Sequence, residues 1–312
     1  MPISKPPAAR KTPSSPAAPQ PLKGVRVLSL ALNLPGPAAL MRCRQMGASC
    51  VKLEPPPPAG AAAGASGDPM KVYNPTAYAA LHAGIRTAVA DLKTERGQAL
   101  LHRELAKADV VLTSFRPSAL VKLGLTWKAL HKLYPQLSQI AIVGSPGERA
   151  EEPGHDLTYL AENDLLTGLD LPATLYADMG GSLMASEAVL QSVLHQRAKS
   201  KGVYLEVALS AAAGYLALPR SWGLTQPGAA VGGGHAGYRL YACKDGRVAL
   251  AALEPHFAAS LCAAAGVQAS SRKAMFAPAT HAAIEAWLKG KTRKELDVLA
   301  IEKDIPLHTL AP

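Results

Sequence analysis

Residues 25–53 read VRVLSLALNLPGPAALMRCRQMGASCVKL, and this stretch decides the fold class. It begins with a short β-rich run at residues 25–30 and passes through the turn PGP into a segment of helical composition, residues 38–46. Gly47 ends that segment, and residues 49–53 follow as a second strand. A strand, a turn, a helix and a second strand form the repeating unit of a parallel sheet.

The same alternation of strands and helices continues downstream. Strands are predicted at residues 87–92, 108–113, 137–143 and 203–209, with helices at 94–107, 127–133 and 180–199. This order predicts an α/β fold whose large domain, residues 21–218, is a doubly wound, mostly parallel, Rossmann-like sheet.

A second region is predicted after a Gly/Pro-rich linker, residues 219–237. It begins with YRLYACKDGRVALAALE, in which the Lys-Asp-Gly turn lies between two β-rich runs and predicts a hairpin. Helical segments follow it, so residues 238–312 are predicted to form a smaller α+β domain. The first 20 residues are rich in Pro and Ala and basic, and we expect them to be a disordered tail.

Composition excludes several classes of protein. The chain has 312 residues, of which 48% are hydrophobic and 18% charged, so it can bury a core. No run approaches about 20 apolar residues, which argues against a membrane protein. The formal net charge of +10 favours an anionic partner, but the charge is scattered and no nucleic-acid motif is present.

The cysteines and the common catalytic motifs add little. Four cysteines without CxxC or zinc spacing, and no secretory signal, predict a reduced, cytoplasmic protein without a metal site. The chain contains no phosphate-binding GxxxxGK[ST] or GxGxxG, no HExxH and no GxSxG. Motifs alone therefore indicate only a basic α/β protein that binds an anion.

Several stretches, taken together and in order, are more specific. They are PLKGVRVLSLALNLPGP (21–37), GASCVKLEPP (47–56), DLK with a glycine four residues later (91–97), ADVVLTSFRPSALVKLGL (108–125), GHDLTYL (154–160), ADMGGSLM (177–184) and ALEPHF (252–257). This series resembles the class III CoA-transferase family, also called CaiB/BaiF. The last three stretches are most similar to the α-methylacyl-CoA racemase branch of that family.

The resemblance implies a catalytic set. A racemase of a 2-methylacyl-CoA removes a proton beside the thioester and returns one on the other face, which needs two acid/base groups. His155 and Asp178 match those two positions, and Glu254 matches a carboxylate that orients the histidine. Considered without the family pattern, His155 is more typical of a helix cap or a surface residue, and Asp178 of a turn or a helix cap. Glu254 is more typical of a solvated loop residue.

Two other functions remain open. In the transferase branch, the aspartate at the position of Asp178 attacks the acyl-CoA carbonyl and carries CoA from one carboxylic acid to another. That chemistry needs no base at His155. A third alternative is a non-catalytic relative that acts as a binding or scaffold protein.

The resemblance also implies a CoA site and an assembly. Arg86, Arg116 and Lys122 match basic positions near CoA, and Asp156 and Tyr159 match residues beside the pantetheine arm. CoA would arrive as part of an acyl-CoA thioester, with no permanently bound cofactor and with neither nucleic acid nor membrane as a partner. Members of the family form homodimers, some of them interlocked, so we expect a homodimer.

Two departures from the family pattern are visible. The sequence GSPGE at residues 144–148 replaces the usual glycine-rich segment after the predicted strand at 137–143. The sequence stops at Pro312, where family members continue into a segment that returns to the large domain. We therefore expect that C-terminal return segment to be absent.

Overall fold

A computed structural model describes residues 19–62, 65–268 and 271–312. The predicted disordered tail, residues 1–20, lies outside the described residues except for its last two. The chain divides into two compact units, the first ending at Leu216 and the second beginning at Ala217.

A six-stranded sheet forms the centre of the first unit. Its strands are β1 (Arg26–Ser29), β2 (Ser49–Glu54), β3 (Arg86–Val89), β4 (Val110–Thr113), β5 (Ser138–Val143) and β6 (Tyr204–Ala208). All neighbours are parallel, in the order β3-β2-β1-β4-β5-β6, and Val27 lies opposite both Cys50 and Val110. This is the doubly wound order, which confirms the predicted fold class.

Helices connect these strands. They are α1 (Pro35–Gln45), α2 (Pro69–Tyr73), α3 (Pro75–Leu81), α4 (Glu95–Leu105), α5 (Pro117–Lys122), α6 (Trp127–Leu133), α7 (Asp156–Glu162), α8 (Tyr176–Lys199) and α9 (Leu209–Leu216). Helix α8 begins four residues before the predicted start at residue 180. This difference matters for function because it places Asp178 inside the first helical turn.

The sheet is covered on both faces. Val27 belongs to one hydrophobic cluster, and its neighbour Leu28 belongs to a second. Val111 lies in the second cluster with Leu28, whereas Val110 lies in the first with Val27. Since successive side chains of a strand point to opposite faces, two helical layers enclose the sheet, as a parallel sheet requires.

The second unit contains a three-stranded antiparallel sheet with helices. Its elements are α10 (Leu218–Ser221), β7 (Tyr238–Cys243), β8 (Gly246–Ala251), α11 (Pro255–Ala265), α12 (Pro278–Lys289), α13 (Arg293–Glu302) and β9 (Leu307–Leu310). Strands β7 and β8 pair as the predicted hairpin, and β9 adds to β8. This small antiparallel sheet confirms the predicted α+β class of the second region.

The segment that the sequence suggested as a linker, residues 219–237, belongs to the second unit. It contains most of α10, and Ala236 is fully buried in the hydrophobic cluster of that unit. The Gly and Pro content of this segment suggested a linker, but these residues form turns within a packed part of the second unit. Among the described residues, no helix is long and apolar enough to cross a bilayer.

Candidate active site

A cleft of about 370 Å³ lies at the carboxyl edge of the six-stranded sheet. Its lining comes from the segments that follow four strands and includes Asn33 after β1, Arg116 after β4, Gly144 after β5 and Leu209 after β6. The strand order reverses between β1 and β4, and doubly wound folds bind ligands at such a switch point. The cleft therefore lies where this topology favours a ligand site.

His155 and Asp178 both line this cleft. His155 is the residue immediately before α7, and the Thr158 hydroxyl accepts a hydrogen bond from its N–H at 3.1 Å. Asp178 is the third residue of α8, so it is neither a turn residue nor an N-cap. The structure thus brings two of the three predicted catalytic residues to one cleft, at the beginnings of two helices.

Asp156 joins these two helices. Its carboxylate Oδ1 accepts a hydrogen bond of 2.9 Å from the backbone N–H of Asp178. This N–H belongs to the first turn of α8, where helical amides have no partner within the helix, and Leu175 before it provides no side-chain cap. Asp156 is therefore a tertiary cap on α8, and it is buried. Its predicted place beside the pantetheine arm stays a prediction.

The carboxyl group of Asp178 holds its proton unusually well. Burial and the neighbouring charge of Asp156 raise its pKa from 3.8 to about 6, against the opposing effect of His155. A carboxyl group with a pKa near 6 can both take and give a proton close to neutral pH. Strong shifts of this kind, in a cleft and with identified causes, are typical of functional carboxyl groups.

Tyr159 forms part of the cleft wall, and its ring occupies the space that side chains at Gly144 and Gly154 would need. A Cβ atom at Gly144 would lie 2.3 Å from the Tyr159 hydroxyl, and one at Gly154 would lie 2.7 Å from it. Burial, then the charge of Asp178, raises the pKa of Tyr159, so its hydroxyl stays protonated. Gly144 and Gly154 thus leave the space that the Tyr159 ring occupies.

The predicted CoA residues are dispersed. Arg116 lines the cleft and precedes α5, whereas Lys122 is the last residue of that helix. Arg86 begins β3, at the amino edge of the sheet, and forms an ion pair of 2.7 Å with Glu104. The structure therefore does not bring Arg86 to the cleft at the carboxyl edge.

Glu254 belongs to the second unit, where it is the residue immediately before α11. Its predicted role in orienting His155 stays a prediction.

A buried ionic network lies beside the cleft, and sequence reasoning missed it. Lys52 of β2 is fully buried, and its ammonium contacts Asp68, His82 at 2.9 Å and Glu54 at 3.2 Å. His82 Nδ1 donates to the carbonyl of Tyr78 at 2.7 Å, which leaves Nε2 to accept from Lys52. The available signal was Lys52 and Glu54, two residues apart and hence on one face of an otherwise apolar strand.

Glu54, Asp68 and His82 also have the donor atoms of a metal site, all within 4.8 Å of one another. The Lys52 ammonium already contacts all three and supplies the positive charge that a metal ion would bring. These residues therefore suit an ammonium-centred ion network better than a metal ion.

Asp68 connects this network to the cleft wall. Its Oδ1 accepts hydrogen bonds from the N–H of Asn33 at 3.0 Å and from the N–H of Met70 at 2.9 Å. Asn33 has a φ of 64°, in the left-handed region, so the bond helps to hold a strained loop. Asn33 and Met70 both line the cleft, and Asp68 therefore fixes two of its walls.

Acid is expected to weaken this network. Burial, and then the Lys52 charge, lowers the pKa of His82. Burial alone would raise the pKa of Glu54, but hydrogen bonds from Ser66 and Tyr78 and the Lys52 charge outweigh it and lower that pKa. A lowered folded-state pKa means that stability is present above the unfolded pKa and is lost as pH falls. Below about pH 6.5 the unfolded state binds a proton at His82 that the folded state resists.

We therefore expect the stability advantage of the natural chain over His82→Gln to shrink as pH falls below 6.5, by at most about 1.4 kcal/mol per pH unit. Urea unfolding of both proteins between pH 8 and pH 5 measures this difference. The folded-state pKa of Asp178 is raised, so its contribution to stability changes with pH in the opposite direction. Because both proteins contain Asp178, this contribution cancels in the stability difference between them. A constant difference over that range would contradict a neutral His82.

Residues 22–311 match the family model described as CoA-transferase family III. Because the match covers nearly the whole chain, the chain belongs to CoA-transferase family III. This finding confirms the resemblance drawn from the sequence. A CaiB/BaiF family protein from Brucella suis shares the fold, with a TM-score of 0.74 at 24% identity over 95% of this chain and 85% of that protein.

Named relatives fall into both branches of the family. The succinyl-CoA–D-citramalate CoA-transferase of Chloroflexus aurantiacus is 34% identical over 60% of this chain and 48% of its own length. Human α-methylacyl-CoA racemase is 28% identical over 76% of this chain and 62% of its own length. The chain thus spans about half the length of the first of these relatives, and the named relatives include both a CoA-transferase and a racemase.

Proposed function

We propose that the protein racemises or epimerises a 2-methylacyl-CoA by proton transfer at the α-carbon. The observation that carries this proposal is the pair His155 and Asp178 in one cleft, with the pKa of Asp178 raised to about 6. One group removes the α-proton as the thioester becomes a planar enolate, and the other returns a proton to the opposite face. Each turnover moves one proton from one group to the other, and no co-reactant is consumed.

The local structure supports this division of roles. Asp156 fixes the first turn of α8 and thereby the backbone that carries Asp178. The nearby anion of Asp156 favours the protonated form of Asp178, and the opposing influence of His155 favours the ionised form. A carboxyl group that can hold or release a proton near neutral pH suits reversible transfer in both directions.

The CoA part of the substrate is proposed to lie along the carboxyl edge beyond the cleft. Phe115 lines the cleft and also lines an apolar cavity of about 150 Å³ with Leu30, Leu53 and Lys93. Arg116 follows Phe115, and Lys122 ends the helix that begins there. We assign the CoA phosphates to these two cations, because guanidinium and ammonium groups are the usual phosphate partners, and we give no CoA role to Arg86.

CoA transfer is the second candidate, and the relatives named as CoA-transferases favour it. In that reaction, the Asp178 carboxylate attacks the thioester carbonyl and expels the CoA thiolate, which leaves a mixed anhydride. The thiolate then attacks the aspartyl carbonyl, releases the donor acid and forms an aspartyl-CoA thioester, which an acceptor acid opens in turn. This route uses Asp178 alone and gives His155 no chemical task.

His155→Gln distinguishes the two candidates. Under racemisation, we expect interconversion of the two enantiomers of a 2-methylacyl-CoA to fall by about 10²- to 10⁴-fold, because one face loses its base. Exchange of the α-proton with solvent should survive for the one enantiomer whose proton faces Asp178. Chiral chromatography and mass spectrometry in D₂O measure both rates. Under CoA transfer, the variant should instead keep most of its transfer activity towards an added carboxylic acid.

The setting in the cell also belongs to the proposal. We propose a cytoplasmic homodimer that takes CoA only as part of its thioester substrate. Four free, buried cysteines are compatible with a reducing compartment.

A further inference from the structure

The second unit encloses a cavity of about 600 Å³ that the proposed reaction does not use. Its volume falls in the range of sites for small molecules. The described residues that line it belong to the second unit and include His235, Leu253, Ala258, Ala259, Arg272 and Met275. Most of this lining is apolar, and two residues, His235 and Arg272, supply nitrogen donors.

His235 presents an unused donor. Only 3% of its surface is exposed, and its Nδ1 accepts a hydrogen bond of 3.1 Å from the backbone N–H of Gly237. An imidazole that accepts at Nδ1 carries its proton at Nε2. Within the described part of the chain, Nε2 has no hydrogen-bond partner, and it is not one of the fully buried polar atoms, so its N–H stays accessible to a ligand.

The charge state of His235 is fixed by its surroundings. Burial, and then the positive influence of His281 and Arg272, lowers its pKa. The ring is therefore neutral at physiological pH and offers one N–H. Arg272 supplies the full positive charge at the same cavity. A guanidinium fork beside a single N–H donor complements a planar carboxylate.

The remaining lining residues select what is attached to that carboxylate. Leu253, Ala258 and Met275 are apolar, and Ala258 and Met275 are buried. A second charge or a sugar would be desolvated against these side chains without a partner, whereas a hydrocarbon chain would gain by leaving water.

We propose that this cavity is a binding site for a short-chain aliphatic carboxylate. The carboxylate lies between Arg272 and the Nε2–H of His235, and the hydrocarbon lies against the apolar lining residues. No residue that lines the cleft in the first unit lines this cavity, although Leu253 and Pro255, which line it, flank Glu254 in the sequence. Binding of the carboxylate does not depend on the α-proton transfer proposed above.

Two methionines allow both sites to be observed in one sample. Met275 lines the cavity and Met70 lines the cleft in the first unit. In the full chain labelled with ¹³C at the methionine methyl groups, Met275→Leu and Met70→Leu assign the two signals. We expect hexanoate to shift the Met275 signal in a saturable manner and to leave Met70 unchanged. CoA should shift Met70, and its failure to do so would count against the catalytic proposal alone.

Variants define the recognition. Arg272→Gln should weaken hexanoate binding by about tenfold, as expected for loss of a charge-assisted bond, while Lys273→Gln, the neighbouring cation outside the cavity lining, should not. Ala259→Leu should block the cavity from an exposed helix position, and a urea-unfolding midpoint equal to that of the natural chain shows that the variant folds. No Met275 shift with hexanoate, or equal binding of 1-hexanol and hexanoate, would overturn the proposal.

Discussion

Asp178→Asn is expected to abolish enantiomer interconversion and, at the same time, to make the protein more stable. Interconversion should fall by about 10³-fold because asparagine can neither take nor give the proton. Stability should rise because burial and Asp156 raise the pKa of Asp178 from 3.8 to about 6, so the ionised form is disfavoured in the folded state. That shift corresponds to about 3 kcal/mol above pH 6.

The pH dependence of the stability gain in Asp178→Asn gives a second test of the raised pKa. A group with a raised folded pKa costs stability at high pH, and the cost disappears as pH falls towards the unfolded value. Urea unfolding should therefore show Asp178→Asn to be more stable at pH 8 and equal to the natural chain near pH 4. Asp170→Asn, at an exposed position, serves as the control and should change neither activity nor stability. If Asp178→Asn were less stable than the natural chain at pH 8, the ionised form of Asp178 would not be disfavoured in the folded state.

Lys52→Met is expected to destabilise the first unit by about 3–5 kcal/mol. The fully buried ammonium is the cation in contact with both Asp68 and Glu54, and its loss leaves two carboxylates in the interior without it. Because Asp68 also holds the N–H groups of Asn33 and Met70, the cleft should loosen and the KM for acyl-CoA should rise.

Neutralising the carboxylates separates charge from packing. Adding Glu54→Gln and Asp68→Asn to Lys52→Met removes the unpaired charges, and we expect it to recover much of the lost stability in denaturant unfolding. Lys107→Met, at an exposed position, should stay within about 0.5 kcal/mol of the natural chain. If Lys52→Met were as harmless as Lys107→Met, the network would not stabilise the fold.

The sequence predicted the fold class well because local patterns and global topology agree. Successive side chains of the strand within residues 25–30 enter two different hydrophobic clusters, so Val27 and Leu28 pack on opposite faces of the sheet. The PGP turn begins α1 at the point where the proline ring is tolerated, in the first turn of a helix. Such agreement between turn chemistry and apolar pattern leaves few other topologies.

The site was predicted less completely, because its properties depend on tertiary contacts. His155 and Asp178 line one cleft, and their catalytic roles stay a prediction. The capping bond from Asp178 to Asp156, which spans 22 residues, could not be read from either segment alone. Arg86 precedes a predicted strand and lies at the amino edge of the parallel sheet, away from this cleft, and its role near the nucleotide stays a prediction.

The most direct test of the central claim starts from one pure enantiomer of a 2-methylacyl-CoA in D₂O, with no acceptor acid present. Chiral separation and mass spectrometry then follow the other enantiomer and its isotope content. If His155 and Asp178 transfer protons on opposite faces, each enantiomer yields the other with deuterium at the α-carbon. Retention of configuration without deuterium, together with CoA transfer once a carboxylic acid is added, would contradict that claim and favour Asp178 as a nucleophile.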